Sequence, residues 1–263
     1  MHTLRMIWAR RALLASFVRR EIANRYAGTF IGAIWALGQP VLMLLIYGFV
    51  FQRVLRVDLQ DLGGHGFVAF LACGLWPWMA FQEGLQRATQ AIVGNGALIK
   101  KVVFPYELLV LATIAATFLV HFCGFLVVLA VLWLIGPPFE AVGLPVMLGA
   151  WFITALLAYG IALATSSVQV IVRDVGQMIG PVLMLMFYLT PILYPRKLVP
   201  EGFRFVLDLN PIAHLLGAIR AGLLHGDIAA AWVLLPLFGG ALLLVWLGGR
   251  VFRRLAGSFE DFM

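Results

Sequence analysis

From Gly32 to Gln52 the chain runs 21 residues without a charged side chain, and comparable apolar runs recur about six times along its length. A helix rising 1.5 Å per residue needs about 20 such residues to cross the ~30 Å hydrocarbon core of a bilayer. Lipid offers the backbone no hydrogen-bond partner, so runs of this length are helices rather than strands. The expected fold is an all-α membrane protein. Composition agrees, with 63% hydrophobic and 12% charged residues, where soluble domains carry about 45–50% and about 25%. No polar block is long enough for a separate soluble domain.

Six spans are expected: Gly32–Gln52, Gly66 to about Gln86 (with helix continuing toward Val93), Leu108–Ile135, Val142–Val170, Gln177–Tyr194 and Ile228–Gly249. The uncharged stretch Ala141–Val172 exceeds what a bilayer needs, so this span is tilted, kinked or protruding. Taking alternate connecting segments together, 13 of the 19 Lys and Arg fall on one side and 6 on the other. By the positive-inside rule both termini are then cytoplasmic. This divides the chain into an N-terminal interfacial helix (1–31), a six-span domain (32–250) and a cytoplasmic tail (251–263). The Arg-rich first ~30 residues lack a compact apolar core with a cleavage site, so no cleavable leader is expected. The formal charge of +7 sits at the ends of apolar runs, which suits membrane orientation rather than nucleic acid.

Three segments outside the spans carry structure. At 100° per residue Leu4, Ile7, Trp8, Leu14, Ala15, Val18 and Ile22 share one helical face, with Leu13 and Phe17 off it. A basic helix with such a stripe lies in the headgroup plane; the alternative is an unstructured basic anchor. Gly94-Asn95-Gly96 is a turn signal. It leads into a short cytoplasmic helix over Ala97–Val102 that Pro105 stops. In the outer loop 195–227, Asn210-Pro211 is a helix start, with Asn as N-cap and Pro in the first helical position. Ile212–Leu224 is apolar but too short to span, so it is expected to be interfacial or re-entrant, between spans five and six.

Little reactive chemistry is present. Glu83 and His121 are the ionisable groups inside the spans; a lone His on an apolar helix is read as packed and hydrogen-bonded, and Glu83 as lying near a membrane surface. The chains of Asp, Glu or His that serve ion-coupled carriers are missing. No G-x-S-x-G or H-E-x-x-H motif occurs, and nothing orders Ser166, Ser167 and Asp174 into a protease. Lys100, Lys101 and Lys197 are the only lysines and none precedes Ser or Thr, so the chain has no Walker A loop. The two cysteines, Cys73 and Cys123, lie inside apolar runs and are expected to be packing residues without disulfide or metal.

Several segments carry a resemblance. Arg25 to Trp35 followed by Pro40, Lys101 to Glu107, Arg173-Asp174, Thr190 to Pro195, and Asn210-Pro211 with Arg220 occur in this order along nearly the whole chain. Together they resemble ABC exporter permeases of the polysaccharide-export branch. The resemblance implies a homodimer of six-span permeases in the bacterial inner membrane, coupled to a pair of separate ATPase subunits that hold the ATP and Mg. It implies no catalytic residue and no cofactor in this chain. The implied cargo is lipid-linked polysaccharide, with a lean to O-antigen-like glycans because the capsule branch differs around Lys101–Pro105. Teichoic acid, capsule, a hydrophobic drug or lipid remain alternatives. An ATP-independent membrane enzyme or scaffold fits poorly with the missing acids and nucleophiles.

Candidate site residues follow from this reading. Trp35, Tyr47, Trp76, Trp78, Phe81, Phe187, Tyr188 and Tyr194 cluster at the ends of spans one, two and five. They are expected either to stack on sugar faces or to form an interfacial aromatic belt. Arg19, Arg20 and Arg25 are candidates for the pyrophosphate of a lipid carrier, since Arg matches phosphate bidentately; anionic lipid is the competing partner. Leu98, Ile99, Lys100 and Lys101 are the candidate contact to the ATPase.

Overall fold

The computed structural model describes residues 10–27, 35–54, 66–102, 104–137 and 139–262. Every regular element among them is helical. Helix α1 is Arg11–Tyr26. Helix α2 is Trp35–Phe49 and ends in a wide π turn, Val50–Val54. They are followed by α3 (Gly66–Thr89), α4 (Gly96–Ile99), α5 (Glu107–Ile135) and α6 (Leu144–Ile171). Next come α7 (Asp174–Leu189), α8 (Arg204–Leu209), α9 (Pro211–His225), α10 (Ala231–Leu255) and α11 (Phe259–Phe262).

Among the described residues, four helical stretches are long and apolar enough to cross a bilayer: Leu37–Val54, Glu107–Ile135, Ala141–Ile171 and Ile228–Ser258. The protein is therefore an all-α, multi-pass membrane protein. Expected spans two and five are helices in the expected places without the same apolar length. Glu83 and Arg87 lie in the last turns of α3, and α7 has 16 residues. Span five was expected to reach Tyr194, but its helix stops at Leu189. Thr190 is extended (φ −101°, ψ 136°), as the residue before a proline prefers.

Helix α6 is the centre of the bundle. Its apolar stretch is 67% buried, against 11% for α10 and 17% for α2, which turn most of their apolar surface outward. At 28 residues α6 is about 42 Å long at 1.5 Å per residue. It crosses α10 backbone to backbone at Gly160 and Gly248: a Cβ on Gly160 would stand 2.7 Å from the Val245 nitrogen. Small residues permit this approach where lipid supplies no hydrophobic drive.

Helix α9 lies over α3 and α6. As its sequence predicts, the Asn210 side chain caps it by accepting from the Ile212 and Ala213 nitrogens, and Pro211 takes the first position. Gly226, at φ 64°, closes it in the left-handed region. The Glu140 nitrogen donates to the Leu223 carbonyl at 3.0 Å, tying the end of α9 to the α5–α6 turn.

Residues 1–9 of the expected N-terminal interfacial helix lie outside the described residues. Phe17, off the expected stripe, is the buried side chain, with its ring 5.4 Å from Phe104. Leu13 packs beside it. The stripe of Leu14, Ala15, Val18 and Ile22 borders an open groove flanked by Arg11 and Arg19, and its Leu14 and Val18 also pack against the core. The buried face is therefore broader than the single stripe and extends to Leu13 and Phe17.

Candidate functional site

A cleft of about 620 Å³ opens between α2, α3 and α7, with one residue each from α1 and α5. Helix α3 forms its floor. Leu75, Trp78, Met79, Gln82, Glu83, Gln86 and Arg87 all line it, and their three- and four-residue spacing puts them on one helical face. The cleft changes character along this face.

One end is aromatic. Tyr47 of α2, Trp78 of α3, and Phe187 and Tyr188 of α7 line it. The Phe187 ring lies 6.3 Å from Tyr47, 5.9 Å from Trp78 and 5.3 Å from Tyr188, the last edge-on. The middle is neutral and polar, with Gln39, Gln82 and Gln86. The Trp78 Nε1–H donates to Gln82 Oε1 at 2.8 Å. This fixes the ring and orients the Gln82 amide.

The other end is ionic. One oxygen of Glu83 accepts from Arg25 of α1 and meets His121 Nε2 of α5 at 2.8 Å. Its other oxygen accepts from Arg87 Nε at 2.8 Å, and Arg87 reaches Glu21 at 3.3 Å. A single carboxylate thus ties α1, α3 and α5 together at the mouth of the cleft. His121 is a buried, hydrogen-bonded side chain, as expected for a lone His on an apolar helix.

The candidate aromatics separate into three groups. Tyr47, Trp78, Phe187 and Tyr188 line the cleft. Tyr194 stands beside it, its phenol donating to the Tyr188 carbonyl at 2.7 Å. Trp76 and Phe81 face the interior of the bundle, where both are fully buried, so neither offers a ring to a ligand. Trp35 opens α2, and its side chain lies outside the described residues.

The three candidate arginines point in three directions, as positions 19, 20 and 25 must at 100° per residue. Arg25 is held by Glu83, Arg20 donates to Asn95 Oδ1 at 2.7 Å, and Arg19 borders the outer groove of α1. They form no common anion cradle. The coupling segment is a single helical turn over Gly96–Ile99, shorter than expected. Ile99 is buried and Leu98 half-buried, whereas Lys100 and Lys101 are exposed. No cluster of three His, Cys, Asp or Glu side chains that would suit a metal is assembled among the described residues.

Two features were not anticipated: the ion network around Glu83, and the partners of Arg220. Arg220 is buried and donates to the carbonyls of Phe70, Pro191 and Ile192. The sequence places Arg220 in the expected helix Ile212–Leu224 and in the family resemblance, with no signal for its partners.

Residues 12–224 match the family profile described as ABC-2 type transporter. The chain belongs to the ABC-2 type transporter family. It is 28% identical over 261 residues to the O-antigen export system permease protein RfbA of Klebsiella pneumoniae, covering 95% of each chain. It is 26% identical over 266 residues to RfbA of Myxococcus xanthus, covering 98% of each. The polysialic acid transport protein KpsM of Escherichia coli is 23% identical over 235 residues, 89% of this chain and 90% of the relative. In this ABC-2 type transporter the whole cleft and all of α9 but its last residue fall within the matched region, and α10 lies beyond it.

Proposed function

We propose that the chain is the permease subunit of an ATP-driven exporter of lipid-linked polysaccharide, O-antigen-like, in the bacterial inner membrane. The cleft carries this reading. A polymer of neutral sugars needs flat rings to lie on and amides to meet hydroxyls, with no fixed charge to hold it. Tyr47, Trp78, Phe187 and Tyr188 supply the rings, and Gln39, Gln82 and Gln86 supply the amides. The ionic cluster is confined to one end, where Arg25 and Arg87 bring positive charge beside Glu83. That end suits the phosphate-bearing head of a lipid carrier. Full-length similarity to O-antigen export permeases supports the choice of cargo.

The protein works in this reading as a six-span homodimer. Its cleft faces the partner copy, both termini are cytoplasmic and the α9 segment is re-entrant. A pair of ATPase subunits, which bind the ATP and Mg, docks on the cytoplasmic loop at Lys100 and Lys101. Similarity to the polysialic acid transport protein KpsM favours a polysialic-acid-like polymer as the second reading. Purification of the full chain in mild detergent from its own cells tests the subunit assignment. An ATPase chain with a phosphate-binding loop is expected to accompany it, and a preparation that transports without one would contradict the assignment.

A further inference from the structure

Arg220 is a cation placed in the interior with no carboxylate partner among the described residues. It is 7% exposed. Its Nε donates to the Phe70 carbonyl of α3 at 3.1 Å, and its two terminal nitrogens donate to Pro191 and Ile192, just past the end of α7. The guanidinium carbon also lies 3.6 Å from the centroid of the Phe70 ring. Burying an unpaired cation is costly unless dipoles replace its hydration, and here three carbonyls and a ring face do so. The carbonyls diverge, and a planar fork of fixed donors meets that arrangement where an ammonium cannot.

The position of this grip relative to the cleft gives it meaning. Phe70 is five residues before Leu75, the first cleft residue on α3, and Pro191 is three residues after Tyr188, the last cleft residue on α7. The guanidinium therefore sits just beyond the aromatic end of the cleft, joining α9 to both walls. The same break in α7 is fastened again by Asn210 Nδ2, which donates to Thr190 Oγ1 at 2.8 Å. Room for the guanidinium comes from Gly74, where any Cβ would collide with it. Cys73, next to Gly74, is fully buried in this layer.

We infer that Arg220 is the positioning residue for the outer end of the transport path. It holds α9 against α3 and the α7 exit, and it sets where Phe187 and Tyr188 stand. The inference rests on the reading of the cleft as a transport path. Transport of a polymer past this point requires α9 to move from both walls, so the three carbonyl bonds release and reform in each cycle.

The test uses the full chain in complex with its ATPase, in a Cys123→Ala background that leaves Cys73 as this chain's sole thiol, with labelling read on the separated permease band. The probe is a membrane-impermeant maleimide. Cys73 is expected to be protected at rest and to label during ATP hydrolysis. Arg220→Gln is expected to raise labelling at rest at least about tenfold, the effect of losing charge-assisted bonds. Hydrolysis continues in that variant while export per ATP falls. Arg220→Lys is expected to fail to rescue, and Gly74→Ala, which displaces the guanidinium from the α3 side, to behave like Arg220→Gln. If Arg220→Gln does not accumulate in the membrane, Gly74→Ala gives the same readings. Protection of Cys73 in both variants, or an unchanged export-to-hydrolysis ratio, would overturn the assignment. The thiol and hydrolysis readings do not depend on which cargo is carried, so a wrong cargo would empty the export reading and leave the labelling pattern intact.

Discussion

Glu83 accepts from three separate helices, and removing it would leave two guanidinium groups side by side at the cleft mouth. Glu83→Ala is expected to destabilise the bundle by about 1–3 kcal/mol, the cost of losing charge-assisted bonds in a half-buried site. The melting temperature of the purified chain should fall, with Arg87→Ala falling less; equal melting for Glu83→Ala and parent would remove the network from the account. At the opposite end of the cleft Tyr188 is 59% exposed and lines the wall. Tyr188→Ala removes a stacking surface of about 0.5–1.5 kcal/mol and should slow export several-fold at matched permease levels, whereas Tyr188→Phe should retain it. Equal loss in both variants would assign the residue a polar role instead. Little of this was legible in the chain. Arg87 is four residues from Glu83, but its other two partners stand 38 and 58 residues away, and those of Arg220 up to 150. An arginine met by backbone carbonyls leaves no signature in side-chain patterns, and charge counting treats it like any loop cation.

Long apolar elements were far more legible, because length and hydrophobicity alone define a helix in lipid. The expected Leu108–Ile135 and Val142–Val170 correspond to α5 and α6 within about two residues. Shorter elements were legible in part: α9 was, from its Asn210 cap and Pro211 start, whereas α1 and α7 were not. Helix α1 buries a broader face than its stripe, and α7 ends where Pro191 forces Thr190 out of the helix. The crossing of α6 and α10 yields a prediction at this scale. Gly160→Val inserts a branched side chain against the α10 backbone. It is expected to cost about 1–3 kcal/mol, read as a lower melting temperature, while Gly239→Val, in open space, should leave melting unchanged. The coupling loop gives another. Ile99 is buried, so substitution there would confound folding with docking, whereas Lys100 and Lys101 are free of that problem. Lys100→Glu with Lys101→Glu should cut recovery of the ATPase chain in pull-downs by at least about tenfold at normal permease levels, given several kcal/mol for like charges meeting across an interface. Normal recovery would move the docking site elsewhere.

At the scale of the molecule, α6 and α3 form a packed centre and α2 and α10 turn apolar surface outward. In the proposed six-span arrangement the excess of positive charge on alternate loops puts both termini in the cytoplasm. Reporters fused after the last residue and within the 195–209 segment should respond from opposite sides; the same side for both would contradict the six-span arrangement. The central claim is that this body moves glycan outward on a lipid carrier. The most direct measurement compares cells lacking the chain with cells regaining it, scoring surface polysaccharide and lipid-linked polysaccharide on the inner leaflet. Loss of the first with accumulation of the second, both reversed by the parent chain and not by an ATPase-inactive complex, is the predicted result. Unchanged surface polysaccharide with no inner accumulation would contradict it.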